Sequence, residues 1–142
     1  MTIITADDLT TTVVTTAQNL KICDLVAGDA IIRVETNLIV PFENTADATN
    51  NTTTVSVGDT ATGVAKWTAA TESNKNGTAV LYVLSATAAT IYSAADKLAV
   101  NFIPKTGAAL NIINKGELHV FFGILRTKQL SNANTVSLIT TK

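Results

Sequence analysis

A chain of 142 residues that is 46% hydrophobic, 15% charged and carries a formal net charge of −1 has the material for one folded domain with a real core. It is too apolar and too weakly charged to be a disordered tail. Its Lys and Arg are scattered, with only Arg126 and Lys128 close together, which argues against nucleic acid as a direct partner, because phosphate contacts need clustered cations.

No 18 apolar residues run together, so no membrane span is predicted. The start, Met1-Thr2-Ile3-Ile4-Thr5-Ala6-Asp7-Asp8, lacks the basic and apolar regions of a signal peptide. A chain assembled in a cytoplasm is the expectation. Threonine makes up about a sixth of the sequence; it is β-branched and half polar, which suits the wet face of a strand. Surface helix formers are scarce. The bias is towards sheet.

Residues 1–20 mix Thr with the apolar pairs Ile3-Ile4 and Val13-Val14 and read as an extended N-terminal arm or an edge strand. After the turn Ala27-Gly28-Asp29, Ile32, Val34, Thr36 and Leu38 alternate with Arg33, Glu35 and Asn37. That is the period of a half-buried strand, and Pro41 is expected to end it, with Phe42 plugging the core. Glu43 to Thr54 is a polar loop, and Thr54 to Asp59 a short alternating strand. Trp67, the single tryptophan, reads as a core or interface anchor.

Asn76-Gly77 is a hairpin signal before the β-rich run Val80–Leu84. Leu98, Val100 and Phe102 fall on one face of the next strand. Pro104-Lys105-Thr106-Gly107 turns the chain, and Glu117–Leu125 is the strongest strand pattern of all. Residues 126–142 alternate again and read as a C-terminal tail or an added strand. The expected fold is all-β, an antiparallel sandwich or barrel of jelly-roll-like type over residues 21–125.

Chemistry is sparse. His119, the sole histidine, points away from Leu118 and Val120, and no local motif supplies it with a nucleophile and an orienting carboxylate. One His and Cys23, expected as a buried thiol, cannot make a zinc site. Asp7-Asp8 lacks the ligand spacing of a calcium loop. Asp47, Asp59, Asp96 and Glu117 could pair as glycosidase carboxylates, but nothing distinguishes them from turn and surface acids. No catalytic, cofactor or metal site is expected, and the chain reads as no enzyme.

The order Gly28-Asp29, a strand to Val40-Pro41-Phe42, a polar loop, Val55-Ser56-Val57-Gly58-Asp59, Tyr92-Ser93-Ala94-Ala95-Asp96-Lys97-Leu98 and Gly116-Glu117-Leu118-His119-Val120-Phe121 resembles small tailed-bacteriophage structural proteins, the head decoration (cement) proteins and head fibres. The resemblance covers residues 20–125 and rests on turn-and-strand patterns. It implies an all-β, self-associated protein on the outer face of a capsid, with the major capsid protein as partner and no catalytic residues. A homotrimer matched to lattice three-folds is the expected unit. The virion, assembled in a bacterial cytoplasm, is the expected location.

Assembly contacts are expected at Ile3, Ile4, Val13, Val14, Trp67, Leu138 and Ile139. Deleting residues 1–16 is then expected to abolish capsid binding and leave the fold. The competing expectation is a head or tail fibre module that binds a receptor or glycan, with a tail hydrolase or lyase third.

Overall fold

The computed structural model describes residues 1–47, 52–59, 63–73, 81–83 and 90–126. Among them nine strands form two antiparallel sheets: β1 (Thr2–Thr5), β2 (Gln18–Leu25), β3 (Ala30–Glu43), β4 (Thr54–Asp59), β5 (Gly63–Glu72), β6 (Leu81–Val83), β7 (Thr90–Ile91), β8 (Asp96–Ile103) and β9 (Lys115–Leu125). One sheet has the order β1-β9-β3-β6, with β7 also on β3; the other has the order β2-β8-β4-β5. Because β6 meets Glu35–Asn37 and β7 meets Ala30–Ile31, these two short strands occupy one lane beside β3.

The pairing has a simple logic. β1 pairs β9, β2 pairs β8, β3 pairs the β6/β7 lane and β4 pairs β5, all antiparallel. The chain is therefore one long hairpin, first strand with last and inward to the middle. Rolling it up adds the β3–β9 and β4–β8 pairings. That is the jelly-roll topology, a two-sheet sandwich.

The core lies between the sheets, where alternation puts Val34 and Leu38 of β3, Val57 of β4, Leu98, Val100 and Phe102 of β8, and Leu118 and Val120 of β9. Phe42 closes one end, its ring edge-on to Phe102 at 5.0 Å between centroids. Burying a side chain of this size contributes roughly 1.5–3 kcal/mol. Among the described residues no helix is long and apolar enough to cross a membrane.

Two local expectations change. Ile32 faces solvent, and Ile31 takes its place in the core. A register shift between Ile31 and Arg33 inserts one extra residue, which flips the face of everything before it. Pro41 does not end β3, which runs to Glu43; the proline sits at the register shift between Val40 and Glu43, where its missing N–H breaks no ladder bond. Leu110–Ile112 forms a 3₁₀ turn.

Residues 1–20 take the edge-strand alternative. β1 hydrogen-bonds along β9, with Ile3 opposite His119 and Ile4 opposite Leu118. A 3₁₀ turn at Ala6–Asp8 follows, braced by the Thr5 N–H donating to Asp8 Oδ2 at 2.8 Å. Ile4, Ala6 and Leu9 are buried in the core. Deleting residues 1–16 therefore removes a strand and three core side chains, so such a deletion cannot separate binding from folding.

Candidate interaction surface

Among the seven residues expected at an interface, the structure separates two kinds. Ile4 and Trp67 are 3% and 5% exposed; the chain's own core uses them and they offer a partner no surface. Ile3, Val13 and Val14 stand in solvent. Leu138 and Ile139 lie outside the described residues.

Val13 and Val14 sit at the tip of the β1–β2 connection, 62% and 58% exposed. Exposed valines on a loose loop would be unremarkable surface, but this loop is held at every stage. Gln18 staples its base: Oε1 accepts from the Thr10 N–H (2.9 Å), the Thr11 N–H (3.1 Å) and the Thr11 hydroxyl (3.0 Å), while Nε2 donates to the Asp8 carbonyl at 2.7 Å. The β8–β9 connection clamps its side, where the Asn111 N–H donates to the Thr11 carbonyl at 3.1 Å and the Thr15 N–H to the Ala108 carbonyl at 2.7 Å.

Thr15 itself has φ +61°, and Gly107, which faces it, has φ +84°. A β-branched residue in the left-handed region costs on the order of 1 kcal/mol or more. The Gly107 N–H donating to Thr15 Oγ1 at 2.9 Å helps hold it there. The result is a strained, clamped loop whose summit is two adjacent apolar side chains. Backbone strain of this kind belongs where presentation matters.

The opposite end of the sandwich holds a buried polar corner that periodicity did not reveal. Asp59 ends β4 on the inward parity of Val55 and Val57; its side chain is 0% exposed. Its Oδ2 accepts from Tyr92 OH at 2.7 Å and from Lys66 Nζ at 2.9 Å. Lys66 Nζ lies 5.1 Å from the Trp67 ring centre and 4.9 Å from that of Tyr92. The Tyr92 hydroxyl is pushed well above its ordinary pKa, first by burial and then by its bond to Asp59. This corner joins β4, β5 and the turn before β8. It braces the fold.

Of the other expected acids, Asp47 is exposed, Asp96 is buried at the start of β8, where its charge also helps raise Tyr92, and Glu117 lies on the outer face of β9. There His119 Nε2 is 2.6 Å from Glu117 Oε1. Cys23 is half-buried on β2, in the other sheet, and burial pushes its thiol pKa up. Among the described residues no group of three His, Cys, Asp or Glu side chains gathers as metal ligands would.

No family model, no curated protein and no solved structure matches the chain.

Proposed function

We propose that the chain is a virion structural protein that docks on the outer surface of a bacteriophage capsid and stabilises the shell, without catalysis. The observation that carries this reading is the Val13–Val14 tip. Two apolar side chains on a loop fixed by Gln18, Gly107 and Ala108 lose little conformational freedom on contact, so most of their burial counts towards binding. Each copy contributes a small contact. Many copies on one shell, all engaged at once, make it resist expansion through avidity.

The jelly-roll body supports the same reading in a plainer way. A sandwich braced at one end by Phe42 and at the other by Asp59 transmits load without bending, because packed interiors are nearly incompressible. The Thr-rich, charge-poor composition suits seams that must associate readily.

Val13→Ser/Val14→Ser, measured by co-sedimentation with genome-free shells of the encoding phage, is the test. Losing two exposed valines is expected to weaken shell binding at least tenfold, about 1.4 kcal/mol per copy, with an unchanged melting temperature. Undiminished binding of the variant would refute the role of the tip. Binding of the wild type to a glycan surface, with none to shells, would favour a fibre module instead.

A further inference from the structure

The outer face of the β1-β9-β3 sheet carries a second patch. Its exposed apolar side chains are Ile3 of β1, Ile32 and Ile39 of β3 and Phe121 of β9. They share one face over three strands, with His119, Asn37 and Glu35 among them, and grouped apolar exposure marks an interaction site more than single residues do. Around Phe121 the face is dished: an open groove of about 370 Å³ is lined by Arg33, Glu35, Phe121, Phe122 and Gly123. Gly123 lines it, and the Ile32 side chain lies over the spot where a Cβ would sit, its Cγ1 3.1 Å away.

The charges on this face are ordered along the strands. Glu117, His119, Phe121 and Gly123 follow one another on the outward parity of β9. Across the ladder Asn37 is opposite His119, Glu35 opposite Phe121 and Arg33 opposite Gly123. Glu117 stands at one end of the patch, just inside the mutually paired Lys115 and Glu43, and Arg33 at the other, about 20 Å apart at the rise of an extended chain. Arg33 pairs with Glu35, yet its side chain is 63% exposed against 15% for Glu35, so the guanidinium still faces outward. Glu117, 36% exposed, does likewise.

We infer that this face is a two-fold interface between copies of this chain. A two-fold axis lying in the interface, parallel to the sheet and perpendicular to its strands at a level between His119 and Phe121, lays each acidic end on the basic end of the other copy. Glu117 of one copy then meets Arg33 of the second, twice over, as an isologous contact demands. The groove at Gly123 receives the Glu117–His119 end of the opposing strand, and Phe121 and Ile3 from both copies close the centre. Opposite charges at both ends and apolar groups between them make the face complementary to itself. The rotation also sends the two Val13–Val14 tips to opposite ends of the dimer, so a dimer presents one tip to a given shell. This interface goes beyond the shell-docking reading and does not depend on it.

Sedimentation equilibrium tests it by charge exchange. The wild type is expected to be a dimer. Arg33→Glu alone and Glu117→Arg alone each place like charges together twice and should raise the dissociation constant about tenfold. The double variant Arg33→Glu/Glu117→Arg restores both pairs and should recover most of the loss. Phe121→Ser, removed from both charges, should also weaken the dimer, and it keeps the test open if a reversal fails to fold. Val13→Ser/Val14→Ser should dimerise normally, which separates this result from shell binding. A monomeric or trimeric wild type, or a double variant as weak as the sum of its single changes, would overturn the inference.

Discussion

Asp59→Ala is expected to destabilise the fold by about 3–5 kcal/mol, enough to lower the melting temperature by ~10 °C or more in a domain of this size. The mutation leaves two polar groups without their acceptor at once, the Tyr92 hydroxyl and the Lys66 ammonium. A buried donor that loses its acceptor costs more than the bond it made, since it had already given up water. Lys66 can recover part of the loss by turning outward, because it keeps 19% exposure. Tyr92 is buried and lacks that escape. Thermal unfolding followed by circular dichroism reads the effect, and a loss under 1 kcal/mol would show that the corner is incidental.

The same corner sets the alkaline limit. The folded state holds the Tyr92 hydroxyl protonated above its ordinary range, whereas the unfolded chain releases that proton near pH 10. Stability from this group is therefore fully present below about pH 10 and falls as pH rises beyond it. Denaturant midpoints measured from pH 8 to pH 11 should be level at first and then decline. Tyr92→Phe should flatten the decline.

Gly116→Ala is expected to be nearly as damaging for the opposite reason, too much volume. A Cβ at Gly116 would lie 2.3 Å from Cδ1 of Phe42 and 2.5 Å from Cγ, well inside any real contact. The ring cannot simply retreat: Phe42 is fully buried and packs edge-on against Phe102. Overpacking of this kind costs about 1–3 kcal/mol, and β9 must shift to relieve it, loosening its ladder with β3. Phe42→Leu in the Gly116→Ala background should restore part of the loss by making room. A neutral Gly116→Ala would mean the end of the core is slack.

These two sites show where a linear reading succeeds and fails. Leu98, Val100 and Phe102, and again Leu118 and Val120, lie inward as their alternation requires, because a strand repeats every two residues and a sandwich buries one face. Asp59 shares the parity of Val55 and Val57, but an acid at a strand end is ordinarily a turn residue, so its inward position was not legible. What was missing was the partner pair, since Lys66 and Tyr92 reach Asp59 only through the fold. Ile31 and Ile32 exchange roles because one bulged residue shifts the phase, and periodicity alone does not locate bulges.

The candidate surfaces divide in the same way. Exposed Ile3, Val13 and Val14 were legible as apolar residues in a Thr-rich stretch. Ile4 and Trp67 were not separable from them, since burial against one's own core and burial against a partner call for the same side chains. Nor could sequence show that Gln18, Thr15 and Gly107 fix the tip, because those bonds join segments as far apart as Gly107 and Thr15. The charge order across β3 and β9 likewise exists only once register sets Arg33 opposite Gly123.

The proposed docking role is tested most directly by cryo-electron microscopy of genome-free shells incubated with saturating protein. Regular density is predicted on the outer surface, with a Val13–Val14 tip against the shell at every seat. Bare shells, or density whose shell contacts include no Val13–Val14 tip, would contradict it.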